Sequence, residues 1–222
     1  MCSSVRRRPR DTAPDATRAA LLQAAGEVFA TTGFRAATVR AICQRAGANI
    51  AAVNYHFGDK TQLYLEVLRH SYRVVPPPAP PGSTRRRRPR EQLRTFVHDF
   101  LTRLLNPGPD GWQDKLIAME MIEPTHGLDT MVEERIRPMA DYVRQLVRQI
   151  LGSGADPEIV RLCGCSIVSQ CLFYEHCRAV ICRLFPEQHY DAPAIERLAE
   201  HITRFSVAAI GHYARQTRVR RS

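Results

Sequence analysis

Five side chains with very different donors fall close together in this chain: Arg40, Asn49, Tyr55, His56 and Lys60. A guanidinium can make a bidentate bond to guanine, and phenol, imidazole and ammonium groups can bond phosphate oxygens. The chain has no phosphate loop, nucleophile elbow or metalloprotease helix that would point to covalent or metal-assisted catalysis instead. A second concentration of reactive groups lies far downstream, where Cys163, Cys165, Cys171, Cys177 and Cys182 accompany His176. Those thiols raise metal binding or redox sensing. Their spacing lacks a paired C-x2-C set, and Cys163 and Cys165 fall on opposite sides of a helix. Cysteine is also a common small buried residue, and packing is the favoured role.

The elements that must carry the first group are all helical by periodicity, with no alternating strand and no internal repeat. A first helix is expected from the N-cap Asp15, with Leu21, Leu22, Ala25, Val28 and Phe29 forming an apolar stripe. Gly33 ends it, and Phe34 can fold back on the last turn. Thr38 caps a short second helix, Val39 to Ala46, with Val39, Ile42 and Cys43 inward. Gly47 ends that one, and Asn49 caps a third. Two short helices joined through a glycine turn form the helix-turn-helix signature. Asp59 and Gln62 have capping-box spacing at the head of a fourth helix carrying Leu63, Tyr64, Val67, Leu68 and Tyr72.

The third helix has two sides. At about 100° per residue, Ile50, Val53 and Phe57 fall near 0°, 300° and 340°, a narrow core edge. Ala51, Tyr55, Ala52 and His56 fall outside it, with Asn54 beside the border. Small residues at the start permit close approach to base edges and contact with thymine methyls. The aromatic, polar end suits the backbone. This is the profile of a helix entering the major groove N-terminus first.

Charge is distributed to match. Of the net +10, residues 1–75 carry +6, residues 76–90 +5, residues 91–214 −5 and the last eight residues +4. A basic front and an acidic body suggest that the front meets a polyanion. The run Val74–Arg90, with six prolines and four consecutive arginines, cannot be helix or strand and marks a boundary. The expected organisation is a basic tail (1–14), a helix-turn-helix domain (15–74), a Pro/Arg-rich linker (75–90), a helical body (91–214) and a basic C-terminal tail (215–222). In the body, helices are expected near 91–105, 112–123, 128–151, 156–184 and 192–214, with a kink at Pro138. The 156–184 segment is apolar nearly all round and needs cover on both sides, which a second subunit can supply. Ile195, Leu198, Ile202, Phe205, Ala209 and Tyr213 offer a side of the last helix to a partner helix. No apolar leader follows Arg6–Arg10 and no run reaches the length of a membrane span. The expected compartment is therefore the reducing cytoplasm.

Residues 15–72, including GFRAATVRAICQRAGANIAAVNYHFGDK, closely resemble the N-terminal domain of TetR/AcrR-type bacterial transcriptional regulators. EPTHGLDTMVEERIRPMADYVRQLV and CGCSIVSQCLFYEHCRAVICRL look like the ligand-sensing domain of the CecR-like subgroup, departing from it in the cysteines of EHCRAVIC. The resemblance implies an all-α fold and a homodimer formed near 156–184 and 192–214. It also implies a palindromic double-stranded DNA operator and repression relieved by a small-molecule effector, without a cofactor or metal. Base contacts would fall to Arg40, Asn49, Ile50 and Ala51, and phosphate contacts to Thr38, Asn54, Tyr55, His56 and Lys60. Asn54 stands where many members carry tyrosine. Effector-pocket candidates in the body are His98, Trp112, Met119, Tyr142, Phe173 and Tyr174. Aromatics and methionines at such spacing are more often core. The competing classes are a thiol-based redox or metal sensor and a cytosolic helical enzyme. Arg6–Arg10 and Arg85–Arg88 are candidate DNA-contacting arms.

Overall fold

A computed structural model of the protein describes residues 12–73, 88–106 and 111–219. The expected arms Arg6–Arg10 and Arg85–Arg87, with most of the linker, lie outside them; its last two residues, Pro89 and Arg90, are helical instead, because proline is tolerated in a first helical turn, where its missing N–H would have no partner. Among the described residues every regular element is helical: α1 (Thr12–Ala36), α2 (Val39–Ala46), α3 (Ile50–Phe57), α4 (Lys60–Arg73), α5 (Pro89–Leu105), α6 (Trp112–Ile122), α7 (Gly127–Met131), a π turn (Val132–Ile136), α8 (Arg137–Leu151), α9 (Pro157–His176), α10 (Arg178–Leu184) and α11 (Ala192–Val219). They group into two compact units. One holds α1–α4 with α6 and α7; the other holds α5 and α8–α11.

The first unit is built on α1. Leu21, Ala25 and Phe29 are fully buried there, and α1 packs on α4, α2 and α3, whose Leu63, Val67, Leu68, Ile42 and Val53 are buried as well. Each such apolar side chain contributes roughly 1.5–3 kcal/mol relative to exposure. Gly33, at φ 76°, interrupts α1 as its sequence position predicts. Phe34 then turns its ring onto Tyr64 and Phe29, at centroid distances of 4.8 and 6.2 Å.

Two further helices join this unit. The Trp112 indole at the start of α6 lies on Gly26 of α1 and donates its N–H to Gln23 Oε1 at 3.2 Å. Glu120, only 1% exposed, accepts from Tyr64 Oη at 2.5 Å, from Thr125 N at 2.8 Å and from Thr125 Oγ1 at 2.9 Å. A carboxylate can be tolerated in a core when donors satisfy it in this way. Burial first, then the bond to Glu120, raises the Tyr64 hydroxyl pKa far above the ordinary tyrosine value, keeping it a donor. Gly127 brings α7 onto α4, since a Cβ there would lie 2.4 Å from Leu68 Cδ1. The expected body of 91–214 and the observed grouping thus differ over Trp112–Met131, because the Trp112 and Glu120 contacts are made with α1 and α4.

The second unit packs Leu93, Phe96, Val97, Leu101 and Leu105 of α5 against Ile195, Ala199, Ile202 and Ile210 of α11. Val143, Leu146 and Val147 of α8 and Val160, Cys163, Ile167 and Cys171 of α9 complete the core. Arg94 ties α5 to α11 through Glu196 and Glu200. The kink expected at Pro138 is the π turn. Proline has no N–H and crowds the carbonyl four residues back, so the preceding turn widens. The expected 156–184 helix breaks at Cys177 (φ −96°, ψ 11°), between α9 and α10. No proline or glycine announces this. The guanidinium of Arg178 lies 4.8 Å over the Tyr190 ring and donates to Leu105 O at 3.2 Å, anchoring α10 by tertiary contacts. On α11 the buried line runs through Ile195, Ala199, Ile202, Ser206 and Ile210, while Phe205 and Tyr213 are exposed.

The Trp112 seat is open to test. Gly26→Ala gains about 1 kcal/mol of helix propensity. A Cβ at that position, however, would come within 2.6 Å of three Trp112 ring atoms. Overpacking a buried ring costs about 1–3 kcal/mol. The variant is expected to unfold at lower urea concentration than the native protein; an unchanged or higher midpoint would contradict the seat.

Candidate nucleic-acid interface

The helix-turn-helix is closed at each joint by a short-range bond. Thr38 Oγ1 accepts from Ala41 N at 3.1 Å to start α2. Gly47, left-handed at φ 62°, ends α2, with Ala48 N reaching back to Cys43 O at 2.9 Å. Asn49 Oδ1 accepts from Ala51 N at 3.1 Å to start α3, and Gly58, φ 87°, ends it. Asp59 Oδ1 accepts from Gln62 N at 2.8 Å. Each cap satisfies a helix-end group that would otherwise need water, contributing about 1 kcal/mol.

Val53 and Phe57 face inward from α3, and the guanidinium of Arg18 lies 5.3 Å over the Phe57 ring. Outward stand Ala51, Asn54 and Tyr55, the last 80% exposed, with its ring edge-on to His56 at 4.9 Å. Arg40 is exposed on α2. Ile50, read as both core edge and base contact, is 49% exposed and so does not belong to the core. It occupies the first position of α3, where side chains lean back beyond the helix start and past the packing surface. Salt bridges surround this head. Arg45 pairs with Glu27 between α2 and α1, and Glu66 takes Arg18 at 2.9 Å and Arg69 at 3.1 Å.

Lys60, expected to meet a phosphate, also makes contacts within the protein that the expectation did not include. Its Nζ donates to Ala37 O at 2.8 Å and to Arg35 O at 3.4 Å, and lies 4.6 Å above the Phe34 ring. Sequence periodicity carried no sign of this, since the partners are 23 to 26 residues away.

The six pocket candidates divide between the two units. Trp112 and Met119 belong to the first unit, where Met119 lines a cleft of about 530 Å³ with Phe29, Phe34 and Leu116. His98, Tyr142, Phe173 and Tyr174 belong to the second. There His98 faces Asp99 at 3.2 Å and Glu196 at 3.7 Å, Tyr142 lies edge-on to Phe96, and Phe173 is 54% exposed. The thiols also disperse. Cys43, Cys163 and Cys171 are buried and Cys165 and Cys182 exposed. Among the described residues no three potential ligands converge on a metal position. Burial pushes the Cys171 thiol up to about 12, with Cys163 and Cys43 raised by the same cause. No helix of the described residues is long and apolar enough to cross a membrane.

Comparison with known proteins agrees with this geometry. Residues 21–67 match the family described as bacterial regulatory proteins, tetR family, and residues 89–210 match the C-terminal domain of the HTH-type transcriptional dual regulator CecR. The chain is 25% identical over 170 residues to the HTH-type transcriptional repressor NicS of Pseudomonas putida, covering 72% of this chain and 76% of NicS. It is 26% identical over 155 residues to CecR of Shigella flexneri, covering 61% and 65%. In fold it is similar to a TetR-like transcriptional regulator from Rhodococcus sp. RHA1, with a TM-score of 0.60 at 22% identity over 91% of this chain and 99% of that one.

Thiol labelling separates packing from reactivity. Near neutral pH a thiol raised to about 12 holds almost no thiolate, and the thiolate is the nucleophile. Maleimide is therefore expected to label Cys182 in the folded protein within minutes and Cys171 only after denaturation, read by peptide mass mapping. Comparable rates at the two would contradict the packing role of Cys171.

Proposed function

Because the chain belongs to the TetR family of bacterial regulatory proteins and carries a CecR-type C-terminal domain, it is a DNA-binding transcriptional regulator, and we propose that it works as a homodimeric repressor released by a small molecule. The observation that carries this reading is the outer face of α3. A helix held inward by Val53 and Phe57 presents Ala51, Asn54 and an 80% exposed Tyr55 to solvent, with no core role for them. In this reading Arg40, Asn49, Ile50 and Ala51 meet base edges in the major groove. Thr38, Asn54, Tyr55, His56 and Lys60 meet the backbone and set the register. Two copies of the head then require two half-sites related by a two-fold axis. Repression is the direction we take from the name of NicS; CecR is named a dual regulator. The reading includes no catalytic step.

The second unit supports pairing of two copies. Leu162 and Phe173 of α9 and Phe205 and Tyr213 of α11 are exposed on helices that pack side by side, bridged by Gln170 Nε2 to Ser206 Oγ at 3.3 Å. A matching helix pair from a second copy would cover them and supply the cover that the apolar 156–184 segment requires. The effector belongs to this same unit in the proposed scheme. Its differential affinity for the DNA-bound and free forms sets how far it can shift the equilibrium.

Selection from a pool of randomised duplexes tests the DNA reading. The protein is expected to enrich a palindromic site and to lose affinity steeply as salt rises. Arg40→Ala should relax preference at one position of each half-site, costing about 1–3 kcal/mol there. Tyr55→Phe should weaken all sequences about equally, by an amount of order 1 kcal/mol. Failure to enrich any site over random duplex at moderate salt would sink the reading. Pairing has its own measurement. Cys165, exposed on α9, should become slower to label as protein concentration rises. A labelling rate independent of concentration across the micromolar range, together with a monomeric sedimentation mass, would reject the dimer.

A further inference from the structure

Tyr190, between α10 and α11, is only 9% exposed, and its hydroxyl has no hydrogen-bond partner. Buried hydroxyls are ordinarily paired, because one without an acceptor has given up its hydration for nothing. The ring itself is engaged. The Arg178 guanidinium lies 4.8 Å above it, and Arg178 also donates to Leu105 O of α5 at 3.2 Å. The ring therefore has a set place and its hydroxyl a set direction. Cys182 stands close by. It follows Arg178 by four residues on α10, one turn along the same side of the helix, and its thiol is exposed. Burial first, and then charge on Cys182, push the Tyr190 pKa above the ordinary tyrosine value, so the phenol stays protonated and remains a donor. A thiol sulfur is only a weak acceptor, which leaves the hydroxyl beside it unsatisfied. One oxygen atom added to that sulfur would be the missing acceptor. The other thiols offer no such arrangement. Burial raises the pKa of Cys43, Cys163 and Cys171. Cys165 is exposed, but the hydroxyl one turn on, that of Ser169, is spent on the Cys165 carbonyl at 2.8 Å.

We propose that Cys182 is a site of oxidation by peroxides, and that the Tyr190 hydroxyl receives and holds the sulfenic acid formed there. The Cys182 thiolate attacks one peroxide oxygen. An S–O bond forms as the O–O bond breaks, so the sulfur loses two electrons and the peroxide gains them. The second oxygen leaves, takes a proton from water, and departs as water from hydrogen peroxide or as an alcohol from an organic peroxide. The product is Cys182 sulfenic acid, the reversible first stage of thiol oxidation. Tyr190 then donates to the new oxygen, completing its own missing bond and shielding the sulfur from a second oxidation. The site lies in the unit to which the effector is assigned, but the inference does not depend on DNA binding.

The test uses the full-length reduced protein, hydrogen peroxide, and dimedone to trap sulfenic acid, with peptide mass mapping to read each cysteine. Every peroxide rate is divided by the maleimide rate of the same thiol, which removes differences in accessibility. Cys182 is expected to give the largest ratio and to accumulate as the dimedone adduct, a signal absent in Cys182→Ser. Tyr190→Phe keeps the ring under Arg178 and removes only the hydroxyl. In that variant the maleimide rate of Cys182 should stay the same, while the yield of trapped sulfenic acid falls by about tenfold, the worth of one hydrogen bond, and sulfinic acid takes its place. A Cys182 ratio no larger than that of Cys165 would overturn the proposal. So would an unchanged balance of sulfenic to sulfinic acid in Tyr190→Phe. If Tyr190→Phe loses its cooperative unfolding transition, the comparison of Cys182 with Cys165 in the native protein decides alone.

Discussion

Two eight-residue helices cannot hold their shape in water alone, because the nucleus of a helix costs more than so few hydrogen bonds return. Everything in the N-terminal unit follows from that constraint. α2 and α3 carry the chemistry, but they exist only because caps end them and α1 and α4 bury their inner faces. Ile42, Cys43 and Val53 are nearly or wholly inaccessible for this reason. The outward residues are then free to be chosen for what they meet. Ala51 and Tyr55 make no contribution to the core, and their exposure is possible only because Val53 and Phe57 keep the helix in place.

The same unit draws in residues from well beyond the linker. α6 contributes Trp112 against Gly26 and the buried Glu120 against Tyr64, while Gly127 lets α7 touch α4. A fully buried carboxylate is costly unless its lone pairs are filled, and Tyr64 and Thr125 fill them. Such a network is satisfied in one arrangement only. It therefore specifies the placement of α6 and α7 more sharply than apolar packing alone could. The second unit is conventional by comparison, a helical core between α5 and α11 closed by α8 and α9. Its unusual feature is what it leaves outside: Phe173 and Phe205 stand in solvent in the single chain.

The caps were the most legible part of the sequence. Thr38, Asn49 and Asp59 each bond the backbone two or three residues on, so the residue type and its spacing contain the whole interaction. Gly33 and Gly47 were legible because a left-handed φ has few other occupants. Pro138 was legible as a disturbance, although whether the helix would kink or widen was not. The carbonyl and ring contacts of Lys60 and the break at Cys177 were not read at all. Both depend on partners distant in sequence: the carbonyls near Ala37 for the first, Leu105 and Tyr190 for the second. The body boundary at residue 91 missed that Trp112 has its seat on α1.

By itself, then, the sequence determined the all-helical class, the caps of the helix-turn-helix, the two-sided character of α3 and the family. These rest on interactions within one or two turns, where period and residue type suffice. Only the tertiary structure decided that Ile50 lies outside the core, that Trp112 and Glu120 complete the N-terminal unit, and that the Lys60 ammonium caps the end of α1. Those outcomes depend on which helix ends and ring faces come together from distant segments, and no local pattern of residues encodes that meeting.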